Sequence, residues 1–95
     1  MNTISFKAVR EFASLHPDSE TALAAWFKTA KRAGWRNLAE VKQVYPHADL
    51  VGRYTVFNIG GNKYRLIAEI NYKYQQILIR RILTHEEYDR DNWKT

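Results

Sequence analysis

Cysteine is absent from the 95-residue sequence, and histidine occurs only three times. A disulfide framework and a thiolate metal site are therefore excluded, and the scattered histidines show no recurrent zinc-ligand spacing. Long apolar runs are also missing: no window approaches the roughly 18 apolar residues that span a bilayer, and residues 1–7 lack the apolar core of a signal peptide. These absences predict a cytoplasmic protein that does not enter a membrane and uses neither a metal nor another cofactor.

Acidic residues are scarce in one third of the chain. Residues 53–81 contain a single acid, Glu69, and six basic residues, which are Arg53, Lys63, Arg65, Lys73, Arg80 and Arg81. Six cations against one anion give this segment a net charge of +5, equal to the formal charge of the whole chain. Such a concentrated positive field predicts a polyanionic partner such as nucleic acid.

Several enzyme signatures are missing as well. The sequence has no phosphate-binding loop, no nucleophile elbow and no dinucleotide fingerprint, which disfavours nucleotide-dependent enzymes. Its 45% hydrophobic and 14% aromatic residues are typical of a folded protein, and its length suffices for one core. We therefore expect one domain over residues 1–95 with a single functional site.

Apolar residues at helical spacing predict two main helices in the first half. The first covers residues 5–15, and the second begins after an N-cap at Asp18 and stops near Gly34. The apolar stripe of the second helix contains Leu23, Trp26, Phe27, Ala30 and Ala33. Asn37, with Glu40 three residues later, resembles a capping box and predicts a short third helix.

Runs of β-branched and aromatic residues predict three strands in the second half, which cover residues 54–59, 64–70 and 76–83. Gly60-Gly61-Asn62 predicts a tight hairpin because these residue types tolerate positive φ. Residues 47–52 read as a loop, and the pattern allows a further short strand at residues 2–5. The predicted fold class is α+β, a two-layer sandwich with two main helices packed on one face of a small antiparallel sheet.

Strand alternation places the side chains of Arg65, Ile67 and Glu69 on the face away from the helices. We expect Arg65 to be exposed there, so that it meets phosphate and its replacement by alanine leaves the fold intact. The same alternation sends Arg80 and Arg81 to opposite faces, so that at most one of them joins Arg65. The alternative is that these cations only form the wet side of a half-covered sheet.

Thr84 and Glu87 form a capping-box pattern, which predicts a short C-terminal helical turn after the last strand. His85 and Tyr88 lie three residues apart and would share a face of this turn. Each of these residues alone is more often structural. Beside a basic surface, however, an imidazole and a phenol point to proton transfer on a bound nucleic acid.

Three stretches resemble the HigB-type toxins of the RelE superfamily: residues 56–66, Ile79-Arg80 and residues 84–89. The run from His16 to Gly52 is similar as well, so the resemblance extends over nearly the whole chain. It implies a RelE-like fold and a ribonuclease that cleaves mRNA, commonly on the ribosome. It further implies a cognate antitoxin that carries a helix-turn-helix DNA-binding domain.

The resemblance also implies site residues. Arg65 and Arg80 match basic positions of the family pattern, and the C-terminal motif of the family matches His85, Tyr88 and Asp89. We predict catalytic roles for Arg65, Arg80, His85 and Tyr88. We predict RNA-binding roles for Arg53, Lys63, Lys73 and Arg81.

The expected chemistry is attack of the RNA 2′-hydroxyl on the adjacent phosphorus, which leaves a cyclic phosphate and a free 5′-hydroxyl. His85 or Tyr88 would transfer the protons, while Arg65 and Arg80 would stabilise the phosphorane. Which residue is the general base stays open, as do the RNA sequence preference and the dependence on the ribosome. The rival hypothesis is a non-catalytic RNA-binding or ribosome-binding module on the same basic face. A third hypothesis makes this face a dock for an acidic antitoxin alone.

Overall fold

The computed structural model describes residues 1–4, 6–90 and 93. In chain order the elements are β1 (Asn2–Ile4), α1 (Phe6–Leu15), a 3-10 turn (Pro17–Ser19), α2 (Glu20–Arg32), α3 (Leu38–Val44), β2 (Asp49–Val51), β3 (Tyr54–Ile59), β4 (Tyr64–Asn71), β5 (Gln76–Thr84) and α4 (His85–Asp89). The class is α+β, as predicted, and the strands form one mixed sheet in the order β1-β5-β4-β3-β2. Among the described helices, none has both the length and the apolar character needed to cross a membrane.

The three long strands are confirmed, with ends that differ from the prediction by at most one residue. The β3–β4 hairpin is confirmed too, and Gly60 and Gly61 adopt φ values of 63° and 70°, which favour glycine. Two expectations about the sheet are wrong. Strand β2 forms inside the predicted loop at residues 47–52, and β1 pairs with β5 in parallel, so the sheet is not purely antiparallel. These two edge strands have only three residues each, which is too short to produce a clear alternating pattern. Ser5, at the predicted start of α1, lies outside the described residues.

Helix α3 begins as predicted, with the side chain of Asn37 accepting a hydrogen bond from the backbone nitrogen of Glu40 at 3.0 Å. The reciprocal half of the capping box does not form. The carboxylate of Glu40 instead accepts the backbone N–H of Arg36 at 2.8 Å and bonds from its guanidinium. The N-cap prediction is therefore right, and the capping-box prediction is half right.

Helix α2 begins differently from the prediction, because the 3-10 turn precedes it and Ser19 occupies the N-cap. Asp18 is not the cap. Its carboxylate accepts a bond from the Tyr64 hydroxyl at 2.7 Å and another from the Lys63 ammonium at 3.2 Å. These two bonds, that from Tyr64 first, hold the pKa of Asp18 below its ordinary value of 3.8, and the same contact raises the pKa of Tyr64. The contact ties the β3–β4 hairpin to the start of α2.

Side chains of the helices and of the sheet share the main core cluster. Its helical members include Phe12, Leu23, Trp26, Ala30 and Val41, and its sheet members include Phe57, Tyr64, Leu66, Ala68, Ile77 and Ile79. A second cluster contains Val56, Ile67 and Trp93. The membership of Leu66 in the first cluster and Ile67 in the second confirms the predicted alternation along β4. Arg65 and Glu69 therefore belong to the sheet face of the second cluster.

Candidate active site

A β-bulge in β5 determines where two adjacent arginines point. Ala68 of β4 pairs with Ile79, whereas Ile67 pairs with Arg81, so that Arg80 is an additional residue on β5. The inserted residue restarts the alternation, and Arg80 and Arg81 both line one pocket together with Ile67. The prediction that these two arginines point to opposite faces is wrong, because strict alternation ends at a bulge.

The pocket on this face has a volume of about 420 Å³. It is lined by Arg53, Tyr54, Ile67, Arg80, Arg81 and Trp93. We call the surface defined by Arg53, Arg65, Arg80 and Arg81 the arginine face. Its guanidinium groups are suited to phosphate contact, and the partly exposed ring of Tyr54 is suited to base stacking. Trp93 is only 4% exposed and packs against Tyr54.

Glu69 brings a carboxylate into contact with two guanidiniums of the arginine face. Its Oε1 lies 2.9 Å from Nε of Arg80 and 3.4 Å from Nε of Arg53. Arg53 also donates a hydrogen bond from a terminal nitrogen to the Tyr54 hydroxyl at 3.1 Å. This bond, followed by the charges of Tyr54 and Glu69, raises the pKa of Arg53 above its ordinary value. Two guanidiniums are thus oriented by groups of the protein itself.

Arg65 stands apart from the other arginines because only 8% of it is exposed. It donates to the backbone oxygen of Asn62 at 3.1 Å, to that of Tyr64 at 3.2 Å and to Oδ1 of Asn62 at 2.8 Å. Its guanidinium carbon lies 5.4 Å from the centre of the Tyr88 ring. The expectation that Arg65 is exposed is wrong. The β3–β4 turn supplies the acceptors that a buried cation requires, so replacement of Arg65 by alanine is now expected to destabilise the fold.

Helix α4 begins with the predicted capping box. Oγ1 of Thr84 accepts the backbone N–H of Glu87 at 3.2 Å, and Oε1 of Glu87 accepts that of Thr84 at 2.9 Å. The box fixes the direction of the turn that carries His85. The His85 side chain is 48% exposed, and its Nδ1 lies 3.0 Å from Oδ2 of Asp89. His85 is therefore a solvent-accessible imidazole with one ring nitrogen next to a carboxylate.

Tyr88 links α4 to the arginine face. Its ring stacks on Trp93 with a centroid distance of 5.1 Å, and its backbone oxygen accepts the indole N–H of Trp93 at 3.0 Å. Trp93 also meets Tyr54 edge to face at 6.1 Å. The aromatic contacts and the contact with Arg65 hold the half-buried phenol beside the arginines.

The two predicted lysines are not part of this assembly. Lys63 forms an ion pair with Asp18 at 3.2 Å, beside the start of α2. Lys73 lies in the β4–β5 connection, with Nζ 5.5 Å from the centre of the Tyr74 ring. The other six predicted site residues lie on the arginine face or on the adjoining helix α4, and these are Arg53, Arg65, Arg80, Arg81, His85 and Tyr88. Among the residues that the structure describes, no three His, Asp or Glu side chains form a group that could hold a metal ion.

Sequence reasoning missed two aromatic members of the pocket and one charge contact. Tyr54 lies two residues before Val56 on β3, so both side chains point to the same face of the sheet. This spacing was sufficient to place Tyr54 on the arginine face. Trp93 follows α4 without a pattern that indicates its position. Glu69 was placed on the correct face, but its pairing with two arginines depends on the bulge and on the β2–β3 turn.

An α+β fold whose sheet carries clustered arginines beside a tyrosine, with a histidine on the same short helix as that tyrosine, is compatible with the RelE-like toxic components of toxin–antitoxin systems. A family model with that description, for HigB toxins, matches residues 19–91. The chain belongs to the HigB toxin family.

Relatives with that name match most of the chain. The mRNA interferase toxin HigB of Escherichia coli strain K12 is 33% identical over 92 residues, which cover 94% of this chain and 88% of the relative. The mRNA interferase HigB of Shigella flexneri gives the same values. The mRNA interferase HigB of Escherichia coli O6:H1 is 28% identical over 93 residues, which cover 95% of this chain and 90% of the relative.

Proposed function

We propose that this toxin is an endoribonuclease that cleaves mRNA on the arginine face, without a metal, by attack of the RNA 2′-hydroxyl on the adjacent phosphorus. The names of the relatives support mRNA as the substrate. The observation that carries the proposal is that Arg53, Arg80 and Arg81 line one pocket. Planar guanidiniums that converge on one place match the geometry of a phosphate and stabilise charge that develops on it.

Arg80 and Arg81 bind the scissile phosphate in this mechanism and stabilise the phosphorane. Arg53 extends the contact toward a neighbouring nucleotide, whose base stacks against Tyr54. Arg65 adds positive charge next to Tyr88 while it holds the hairpin in place. A well-placed donor or cation of this kind contributes on the order of 10² to 10³ in rate.

Proton transfer falls to His85 and Tyr88. Because Asp89 occupies the Nδ1 side of the imidazole, Nε2 is the ring nitrogen that we assign to proton exchange with RNA. The Tyr88 phenol, next to the Arg65 cation, is the second proton-transfer group. Each group is expected to contribute about 10² to 10⁴ in rate.

The partners follow from the same proposal. A ribosome that presents mRNA in a fixed geometry supplies the positioning that so small a protein lacks. A cognate antitoxin with a helix-turn-helix domain blocks the arginine face. We further propose that residues 1–95 act as one cytoplasmic, RelE-like domain, in which α1 and α2 form one layer and the sheet forms the other. Lys63 and Lys73 lie apart from the arginine face and add long-range electrostatic attraction for RNA.

Induced expression followed by mapping of transcript 5′ ends tests the proposal. The wild-type chain is expected to create new ends, and Arg80→Ala and His85→Ala are each expected to reduce them at least tenfold. Arg32→Ala is the matched control, because it removes an exposed arginine from α2 and should leave the ends unchanged. The purified toxin is expected to cleave free RNA more slowly than ribosome-bound mRNA, and this slower cleavage should persist when excess EDTA is added to remove magnesium. If the wild-type chain creates no new ends, the protein is a binding module and the enzyme proposal is wrong.

A further inference from the structure

Glu69 is the single acid between residues 53 and 81, and it lies among the cations of the arginine face. It belongs to β4, the central strand. Arg53 precedes β3 on one side, and Arg80 is the bulged residue of β5 on the other. The carboxylate therefore joins two arginines that approach from opposite sides of its own strand.

The geometry of the two contacts is specific. Both arginines approach the same oxygen, Oε1, and both use Nε, at 2.9 Å for Arg80 and 3.4 Å for Arg53. A guanidinium that meets a carboxylate through Nε retains donors on its terminal nitrogens for a second acceptor. Both side chains also line the pocket. Glu69 thus fixes the orientation of each guanidinium without occupying all of its donors.

Without this carboxylate the two arginines lack a common anchor. Their side chains are 73% and 47% exposed, and long exposed side chains sample many rotamers unless a partner holds them. The carboxylate also has an opposite effect on substrate binding, because its negative charge repels a phosphate that approaches the same guanidiniums. One group therefore improves the geometry of the site and weakens its attraction for RNA.

We propose that Glu69 is a positioning residue for RNA cleavage, which orients Arg53 and Arg80 toward phosphate at the expense of RNA affinity. The inference rests on the proposed ribonuclease function. A positioning role can be distinguished by experiment from a purely structural role of Glu69. The Glu69 side chain is 29% exposed and both arginines are more exposed, and ion pairs near a surface contribute little to folding stability. Loss of this carboxylate should therefore change cleavage and binding without unfolding the protein.

Glu69→Gln and Glu69→Ala test this inference in two assays. The first is single-turnover cleavage of mRNA on programmed ribosomes over a range of toxin concentrations. The second is equilibrium binding to a single-stranded RNA with 2′-O-methyl groups, which has no attacking hydroxyl. The maximal cleavage rate is expected to fall about tenfold in Glu69→Gln and about 10²-fold in Glu69→Ala. The amide oxygen of Gln still accepts a hydrogen bond from a guanidinium, whereas alanine offers no acceptor. RNA affinity at low salt is expected to rise about fivefold in both variants, because a negative charge leaves the face.

Asp49→Asn is the matched control. It removes one exposed negative charge from the edge strand β2, on the same sheet face as its pairing partner Val56. RNA affinity at low salt is therefore expected to rise in this control, while the maximal cleavage rate stays at the wild-type value. The melting temperatures of all variants should lie within a few degrees of the wild type.

The remaining outcomes overturn the inference in distinguishable ways. Wild-type cleavage rates in both Glu69 variants would show that the carboxylate positions nothing. A parallel loss of rate, RNA affinity and melting temperature would assign Glu69 a structural role. A wild-type chain that binds the RNA but cleaves no mRNA would instead remove the proposed function itself.

Discussion

Replacement of Arg65 by alanine is expected to destabilise the protein strongly, although arginine on a sheet surface is usually dispensable. The side chain is 8% exposed and makes three hydrogen bonds, two to Asn62 and one to Tyr64. Such bonds contribute about 0.5–1.5 kcal/mol each, and the contact with the Tyr88 ring adds about 0.5–1 kcal/mol. The free energy of unfolding should fall by about 2–5 kcal/mol, which lowers the melting temperature of a chain of this size by about 10–25 °C.

Urea unfolding followed by circular dichroism measures this loss. Arg81→Ala is the control, because Arg81 lies on the same sheet face and is exposed, and its replacement should change the free energy of unfolding by less than about 0.5 kcal/mol. An Arg65→Ala protein as stable as the Arg81→Ala protein would refute the structural role of the buried guanidinium. If the loss occurs, the toxicity of Arg65→Ala reports on catalysis only under conditions where the variant is folded.

Two further substitutions test other contacts. Arg81→Ala should weaken RNA binding uniformly across sequences and reduce the slope of log affinity against log salt by about 0.7, because one phosphate contact is lost. Filter binding at several salt concentrations measures this slope. An unchanged slope would argue against the contact. Asp18→Asn should lower the melting temperature at neutral pH but not in strong acid. The folded-state pKa of Asp18 lies below its ordinary value of 3.8, so its stabilisation is present above that pH and is lost as the pH falls through the folded-state value. Melting curves between pH 7 and pH 2 should converge, and a constant difference between the two proteins would contradict this.

Much of the fold was predictable because local patterns and tertiary packing agree. The alternation along β4 and the apolar stripe of α2 each have a clear period, and the core cluster buries the residues that this period selects, such as Leu23 and Leu66. The capping box at Thr84 was predictable because both of its partners lie within four residues. These elements required no knowledge of distant contacts.

The candidate site was less predictable because it depends on how distant segments meet. The bulge at Arg80 is a property of the pairing between β4 and β5, which no single strand encodes. The burial of Arg65 depends on the acceptors that Asn62 presents in the turn. Lys63 lies outside the arginine face because it pairs with Asp18. That contact was not predictable from local patterns, because Asp18 lies 45 residues earlier in the chain.

The chemistry of the cleaved RNA ends tests the central claim most directly. After cleavage of ribosome-bound mRNA, enzymatic end labelling should find 5′-hydroxyl groups on the downstream fragments and cyclic phosphates on the upstream fragments. A single 2′-deoxy substitution at the cleaved position should abolish the cut. Downstream fragments with 5′-phosphates, or efficient cleavage of the deoxy-substituted RNA, would contradict attack by the 2′-hydroxyl on the arginine face.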